Sequence, residues 1–398
     1  MRRHLMVATA ALSLSGCIAA VDYGKVRHAD YVAAPRCDPP AGAVVDEAAL
    51  PLFFATTRLP DCRADPVRML GHRPDRIRFG RFAPPRDLAV AAGKSEFLTP
   101  LAFQAPGDWW KALQAETDRR QGRVLLYVHG YRESFETTTK DAAQIARMTG
   151  FDGPVIAYSW PSQHKVLSYA VDETNMYFDV SNFRDFLKTL AERPWVKEIV
   201  VVSHSLGARL VLPAIAEVDR SAPTADSSNI SNIILASPDI DREDFERDIT
   251  EQVMTAKDVA RDRRITLYVS RADKALAASR TLHGYPRLGS PYCFDPFEAA
   301  ALKAAGMPAR CYPGKGIAGL TVIDTTDVSR GATGHSNFLR SAVACRDFVD
   351  VVAGKRTRAE RQPVPGFAHV FRLQPDPAHP KPDDEATCNR VPVSEAQP

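Results

Sequence analysis

One serine of this chain stands between small residues, at the point where a strand pattern gives way to a helix pattern. The apolar residues 199–202 predict a buried strand, which ends in Ser203-His204-Ser205-Leu206-Gly207, and a helical pattern follows at once. A sharp turn of this kind exposes the Ser205 hydroxyl at the carboxyl end of the sheet. It also aims the Leu206 N–H at any oxyanion formed there. The residue types therefore predict nucleophilic attack on a carbonyl carbon.

A base and an acid for this serine follow it along the chain. A serine hydroxyl is a poor nucleophile at neutral pH, so it needs a base, and the base needs a carboxylate to orient it. Asp273 comes directly after the predicted strand 265–269, and His335 lies beyond the last predicted strand, 320–323. Both residues are thus expected at the edge of the sheet where Ser205 stands. The order predicts a triad in which His335 takes the serine proton and Asp273 holds the imidazole.

Other carboxylates and imidazoles compete for these two roles. Asp239 follows the preceding predicted strand and is the alternative acid, whereas Asp241 is predicted to cap a helix. Asp327 comes too late in the order. We prefer His335 as the base because a helical pattern begins immediately after it. Of the alternatives, His283 precedes an insertion, and His369 and His379 lie in the tail.

A second oxyanion donor is predicted two strands before the serine. The predicted strand 124–128 ends in His129-Gly130-Tyr131, and the expected donor is the backbone N–H of Tyr131, with His129 bracing the loop. A plain tight turn is the alternative. His204 is expected to pack against the sheet rather than act as the base. Trp160 ends the adjacent strand and is a candidate pocket residue, with a core position as the alternative.

The elements that position these residues alternate regularly between strand and helix. Buried apolar strands that alternate with amphipathic helices predict the α/β class, with a mostly parallel central sheet covered by helices on both faces. The predicted strands are 51–58, 76–82, 124–128, 155–160, 199–202, 232–236, 265–269 and 320–323. The predicted helices are 106–121, 136–148, 169–192, 242–260, 274–282 and 336–353.

Two segments depart from this rhythm. Residues 284–319 are rich in proline and glycine and are expected to form a lid or pocket wall inserted into a domain of residues 46–354. Residues 355–398, where prolines and acidic side chains are frequent, are expected to be an irregular tail.

The amino terminus has the pattern of a bacterial lipoprotein signal. Residues 1–17 contain a basic start, a short apolar run and Leu14-Ser15-Gly16-Cys17, in which Cys17 is the expected lipidation site. Ile18 follows where an aspartate would indicate retention in the inner membrane, so an outer-membrane protein facing the periplasm is expected. Residues 18–45 are predicted to be a tether, and no later segment is apolar enough to span a bilayer.

Six further cysteines in an exported chain predict disulfides. Cys293 and Cys311 are the nearest pair and would close the insertion; proximity also suggests Cys37 with Cys62 and Cys345 with Cys388. No cysteine or histidine group has zinc-ligand spacing, so no metal and no cofactor are expected. A formal net charge of +3 argues against a surface dedicated to nucleic acid.

Six ordered motifs together resemble a bacterial esterase/lipase-like α/β-hydrolase family, whose members are largely of unknown function. They are Val128-His129-Gly130-Tyr131, Ser159-Trp160-Pro161-Ser162, the Ser205 motif, Ser237-Pro238-Asp239-Ile240-Asp241, Ser270-Arg271-Ala272-Asp273-Lys274 and Gly334-His335-Ser336. The resemblance covers residues 51–354 and implies the α/β-hydrolase fold and the triad Ser205, Asp273 and His335. It implies no substrate.

Two functions follow as expectations. The first is an envelope-anchored serine hydrolase that acts through an acyl-enzyme on a small-molecule or lipid ester. The alternative is a catalytically inactive hydrolase-fold lipoprotein that serves as an envelope binding or scaffolding protein.

Overall fold

Thirteen strands occur in the described part of the chain. The computed structural model describes residues 52–82 and 102–375, except for 63, 65–66, 75, 166, 222–228, 308 and 356–360, together with Cys388. The strands are β1 (Leu52–Thr56), β2 (Leu59–Asp61), β3 (Arg68–Leu70), β4 (Arg78–Phe82), β5 (Ala102–Gln104), β6 (Arg123–Val128), β7 (Val155–Ser159), β8 (Glu198–His204), β9 (Ile230–Ala236), β10 (Arg264–Val269), β11 (Leu320–Asp324), β12 (Arg361–Val364) and β13 (Phe367–Leu373).

Eleven of these strands form one sheet, in the order β12-β13-β11-β10-β9-β8-β6-β7-β1-β4-β5, and β2 pairs with β3 separately. The eight central strands from β13 to β1 run parallel to their neighbours. The edge strands β12, β4 and β5 pair antiparallel. The predicted α/β class and the mostly parallel sheet are confirmed.

Helices cover both faces of the sheet. The labelled helices are α1 (Pro106–Asp118), α2 (Phe135–Thr149), α3 (Tyr169–Ala191), α4 (Ala208–Ser221), α5 (Lys274–His283), α6 (Pro296–Ala304), α7 (Asn337–Arg340) and α8 (Ala342–Val352). Short helical segments between β9 and β10 are Arg242–Asp244, Phe245–Ile249, Thr250–Val253 and Ala256–Ala260. The apolar side chains of α1, α3 and α4 join one core cluster, and those of α2, α7 and α8 join the other.

The pattern of β6 explains why two cores form. Val124, Leu126 and Val128 belong to the first cluster, whereas Leu125 and Tyr127 belong to the second, and all five side chains are fully buried. Successive side chains of a strand point to opposite faces, so a continuous apolar run requires a helix layer on each side.

Two predicted helices are interrupted. The single helix predicted for 242–260 is wrong, because Thr255 leaves helical geometry and starts a new helix, Ala256–Ala260, through a capping box with Asp258. The helix predicted for 336–353 is two helices, α7 and α8, since Ser341 is extended at φ −99° and ψ 118°.

The prediction of an irregular tail from residue 355 is wrong for residues 361–373. These residues form the hairpin β12–β13, so β11 is not the last strand and the domain extends beyond residue 354. Pro363 obscures the pattern, but proline is tolerated in an edge strand, where its missing N–H leaves no ladder bond unmade. The buried Arg361 anchors β12 through Asp347 Oδ2, 2.7 Å from its Nε.

Disulfides fasten the insertion and the chain end. Cys293 is bonded to Cys311, and Cys345 to Cys388, as expected. Cys62 is also disulfide-bonded, whereas its expected partner Cys37 lies outside the described residues. The insertion contains α6, which the sequence analysis did not predict and which has no buried residue.

The predicted signal segment with Cys17 and the tether 18–45 also lie outside the described residues. Among the residues that are described, no helix has the length and apolar character needed to cross a bilayer.

Candidate active site

Ser205 occupies a strained turn between β8 and α4. It is the first residue of a single 3₁₀ turn, Ser205–Gly207, and its φ of 51° lies in the left-handed region. Such a conformation costs a non-glycine residue about 1–3 kcal/mol and persists only where the surroundings impose it. A Cβ at Gly207 would lie 2.6 Å from His129 O, so only glycine allows α4 to begin this close to the end of β6.

His335 and Asp273 meet beside this turn. Asp273 Oδ2 lies 2.7 Å from His335 Nδ1, and its other oxygen accepts the Leu276 N–H at 2.9 Å as the N-cap of α5. The Asp273 side chain is fully buried, whereas that of His335 is 15% exposed. The backbone of His335 contacts His204, the residue before Ser205. The structure thus brings the three predicted residues to one edge of the sheet.

The pairing with Asp273 changes the basicity of His335. Burial by itself lowers the pKa of an imidazole, but the Asp273 carboxylate outweighs burial, so the pKa of His335 lies above its usual value of 6.5. The carboxylate also places the remaining proton of a neutral ring on Nδ1. Nε2 is then the nitrogen with a free lone pair, as a general base requires.

Asp239, the alternative acid, has other partners. Its carboxylate accepts hydrogen bonds from Tyr169 Oη, Ser279 Oγ and Arg287 Nε, each at 2.7 Å. Burial raises the pKa of Asp239, yet the charges of Arg287 and a second arginine outweigh it and leave the pKa below 3.8. Its backbone N–H donates to Ser205 O at 3.0 Å. Asp239 therefore supports the nucleophile turn rather than the imidazole.

The remaining competitors are also engaged elsewhere. Asp241 caps the helix that follows it, as predicted, and Asp327 pairs with Arg310. His283 Nε2 lies 3.1 Å from Glu173 Oε1, and His369 Nε2 lies 2.9 Å from Pro313 O. His379 lies outside the described residues.

The loop after β6 approaches Ser205 through Gly130. A Cβ at Gly130 would lie 2.7 Å from Ser205 Cβ, so the loop approaches the serine as closely as a backbone can. Burial and the charge of Arg58 lower the pKa of His129 to about 4, so its ring is neutral. His129 Nε2 lies 3.1 Å from Trp160 O and 3.4 Å from Arg58 Nη2. Nδ1 is 2.8 Å from Gly130 O, so the ring contacts the peptide whose N–H belongs to Tyr131.

Trp160 does not line a pocket. Its side chain is fully buried, stacks on the His129 ring at 4.8 Å and 5° between planes, and donates from Nε1 to His129 O at 2.9 Å. The prediction of a pocket residue is wrong because the indole reaches a buried backbone acceptor instead of solvent. Trp160 braces the loop that carries Tyr131.

Sequence analysis missed Glu133. Its side chain is buried, at 9% exposure. Its Oε1 lies 3.0 Å from His204 Nδ1 and accepts the Gly130 N–H at 3.4 Å. Burial raises the pKa of Glu133, but the hydrogen bond from His204 outweighs it, so the pKa is lowered overall. The signal was a carboxylate three residues after Gly130, within the loop that approaches Ser205.

A cavity of about 640 Å³ lies away from these residues. Its walls include Arg264, Thr266 and Leu320, at the amino-terminal ends of β10 and β11. It is therefore at the opposite edge of the sheet from Ser205.

The chain is similar to solved esterase structures and matches one protein family. A Pyrobaculum calidifontis esterase is 14% identical, with a TM-score of 0.29, over 59% of this chain and 76% of its own. A bacterial heroin esterase is 13% identical, with a TM-score of 0.32, over 87% of this chain and 93% of its own. No curated protein matches the chain. Residues 109–352 match the family described as "Alpha/beta hydrolase of unknown function (DUF900)", and the chain belongs to that family.

Proposed function

We propose that this protein is a serine hydrolase that cleaves ester bonds through an acyl-enzyme. Ser205 attacks the carbonyl carbon, and His335 accepts its proton through Nε2 and then delivers it to the leaving alcohol. Asp273 orients the imidazole and stabilises its charged form. The N–H groups of Leu206 and Tyr131 bind the oxyanion. Water activated by His335 then hydrolyses the acyl-enzyme.

The pairing of Asp273 Oδ2 with His335 Nδ1 at 2.7 Å carries this proposal. A buried carboxylate on one imidazole nitrogen leaves the other nitrogen free to act as a base, and a strained serine stands in the same site. A structural ion pair alone would need neither the left-handed serine nor the close approach of Gly130.

The insertion supports an ester with an apolar acyl group, from a small molecule or a lipid. Five large apolar side chains in residues 282–297 are between 37% and 82% exposed: Leu282, Tyr285, Tyr292, Phe294 and Phe297. This segment adjoins the site, because Gly289 N donates to Pro238 O at 2.9 Å, one residue from Asp239. Exposed apolar groups beside a catalytic site are suited to contact an acyl chain.

Anchoring in the outer membrane through Cys17 is part of the proposal and rests on the lipoprotein signal in the sequence alone. Replacement of Cys17 by alanine is expected to move the protein from the membrane fraction to the soluble periplasmic fraction. Membrane association that persists without Cys17 would contradict the lipid anchor.

The test of catalysis uses a fluorophosphonate probe and a panel of p-nitrophenyl esters of graded acyl length. Ser205→Ala is expected to abolish labelling and to reduce turnover by about 10⁶-fold. Ser203→Ala is the matched control, because the Ser203 hydroxyl is buried without a hydrogen-bond partner among the described residues. A wild-type protein that neither labels nor turns over any ester would instead favour the inactive binding or scaffolding protein.

A further inference from the structure

A second carboxylate–imidazole pair lies directly behind the pair of Asp273 and His335. Glu133 Oε1 is 3.0 Å from His204 Nδ1, and the two side chains are 9% and 6% exposed. Glu133 follows the loop that carries Gly130 and Tyr131, and His204 precedes Ser205. The mechanism above uses neither group, although both are titratable and buried.

His204 connects this second pair to His335. Its Nε2 lies 3.2 Å from His335 O, and the two imidazole rings lie 4.7 Å apart at 45°. The Glu133 carboxylate and the His335 carbonyl can only accept, so hydrogen bonds to both require a proton on each nitrogen of the His204 ring, and Nε2–H then donates a hydrogen bond to His335 O. The other face of His204 packs against the Phe338 ring at 5.4 Å. The main chain of the base is thus held by a side chain of the nucleophile turn.

Glu133 connects the same group to the oxyanion loop. Its Oε1 accepts the Gly130 N–H at 3.4 Å, while Arg58 Nη2 donates to its backbone oxygen at 2.6 Å. Its second carboxylate oxygen, Oε2, is buried and has no hydrogen-bond partner among the described residues. A buried polar atom without a hydrogen-bond partner is destabilising, so stability alone does not favour a carboxylate here.

We propose that Glu133 and His204 form a positioning pair that sets the place of His335 relative to Ser205. The carboxylate orients His204, the His204 Nε2–H holds the His335 carbonyl, and Oε1 holds Gly130 beside the serine. This one pair of side chains thereby fixes the loop that carries His335, the turn that carries Ser205 and the loop that carries Gly130 and Tyr131. The catalytic consequence rests on the proposed hydrolase function, whereas the positioning of His335 does not.

The conservative variant Glu133→Gln separates hydrogen bonding from charge. With its amide nitrogen in the place of Oε1, glutamine can donate to His204 Nδ1, which leaves the Nε2 proton to donate to His335 O, while the 3.4 Å contact with the Gly130 N–H is lost. Glu133→Ala leaves Nδ1 without a partner and frees the His204 ring. A misplacement of about 1 Å in a catalytic group costs on the order of 10²-fold in rate. We therefore expect kcat to fall about 10- to 100-fold in Glu133→Ala with KM changed less than about threefold, and to recover within about fivefold of wild type in Glu133→Gln.

The control is a glutamate at the opposite edge of the sheet. Glu198 Oε2 lies 2.6 Å from Arg123 Nε, at the amino-terminal ends of β8 and β6. Glu198→Ala is expected to leave kcat within about threefold of wild type. Glu133→Ala combined with His204→Ala should be no worse than either single variant, since both remove one shared interaction.

The closing experiment observes His335 directly and works in an inactive enzyme. In Ser205→Ala protein, the ring N–H resonance of His335 hydrogen-bonded to Asp273 is identified by its loss in His335→Ala. We expect it to shift or broaden in Glu133→Ala and to keep its wild-type position in Glu133→Gln. If Glu133→Ala does not fold, Glu133→Gln combined with His204→Leu removes the pair without leaving a buried charge, and the same shift is expected.

The outcomes are distinguishable. An unchanged His335 resonance in every variant that breaks the pair overturns the proposal, whatever the activity. A resonance that moves in a protein that hydrolyses no ester supports the positioning pair and refutes the proposed function. Equal losses of kcat in Glu133→Gln and Glu133→Ala would also overturn the proposal, because rescue by the amide is its specific requirement.

Discussion

Asp273→Asn tests the triad most sharply, because the two carboxylate oxygens of Asp273 do different things. Oδ1 caps α5 by accepting the Leu276 N–H at 2.9 Å, and Oδ2 lies 2.7 Å from His335 Nδ1. An asparagine can keep the cap through its carbonyl oxygen and place its amide nitrogen toward His335. The substitution therefore removes the acceptor for the imidazole and leaves the helix start in place.

The expected loss follows from the tautomer of His335. An amide N–H that faces Nδ1 makes Nδ1 the acceptor and moves the ring proton to Nε2, where the Ser205 hydroxyl needs a lone pair. Loss of the acid in this way costs about 10⁴-fold in kcat. Asparagine and aspartate are similar helix caps, so unfolding free energy should change by less than about 0.5 kcal/mol. Asp273→Ala, which also removes the cap, should cost about 1 kcal/mol in addition.

The contacts of His335 determine the direction in which activity changes with pH. Burial lowers the pKa of His335 and Asp273 raises it beyond its usual value. Because the neutral imidazole is the base, kcat/KM of the wild type rises as the pH passes upward through this pKa. Asp273→Asn removes the charge that raises the pKa of His335, whereas burial still lowers it. The residual activity should therefore rise at a lower pH than in the wild type. The stabilisation that His335 gains from its charged form is present at low pH and is lost as pH rises through its folded pKa.

The assay is kcat/KM on a p-nitrophenyl ester between pH 5 and 9, with thermal unfolding measured for each variant. Asp239→Asn is the matched control, since Asp239 is equally buried but accepts from Tyr169, Ser279 and Arg287. A larger catalytic loss in Asp239→Asn than in Asp273→Asn would refute the assignment of the acid. An acidic limb that stays at the wild-type pH in Asp273→Asn would refute the electrostatic argument.

Three further outcomes are expected. Gly130→Ala should reduce kcat at least about tenfold, because its Cβ would lie 2.7 Å from Ser205 Cβ and would displace the turn; steady-state kinetics measures the loss, and unchanged kcat would contradict the close approach. Replacing Phe294 and Phe297 together by serine should lower the ratio of kcat/KM for long over short acyl esters about tenfold, and an unchanged ratio would exclude them from the acyl site. Burial raises the pKa of Asp179 to about 7, so the wild type should lose stability relative to Asp179→Asn as the pH rises from about 4 to about 7; a difference in melting temperature that stays constant over this range would contradict the buried neutral carboxyl.

That the three proposed catalytic residues lie at one edge of the sheet was predictable because each follows the carboxyl end of a strand. Ser205, Asp273 and His335 follow apolar runs that read as buried strands, and parallel strands bring their ends to one edge. The contact between Asp273 and His335 spans 62 residues, yet topology alone places them near each other.

The role of Glu133 was not predictable in the same way. Its partner His204 is 71 residues away and lies inside β8, where the sequence suggested only packing against the sheet. The prediction of a pocket position for Trp160 was wrong for a related reason. The sequence does not distinguish a tryptophan whose indole N–H meets solvent from one whose indole N–H meets a buried carbonyl. The hairpin β12–β13 was missed because an edge strand with a proline has a weak alternation.

The insertion has a fixed part and a part that the described domain leaves uncovered. Leu288 N donates to Ile240 O and Gly289 N to Pro238 O, each at 2.9 Å, so the fixed part runs beside the loop that holds Asp239. That loop also donates to Ser205 O, so this part of the insertion takes its position from the loop that supports Ser205. In contrast, α6 has no buried residue, and the disulfide of Cys293 fastens the chain just before it. On the proposed function, the fixed part governs the geometry at the ester carbonyl, and α6 contacts the far end of the acyl chain, where preference for chain length is set.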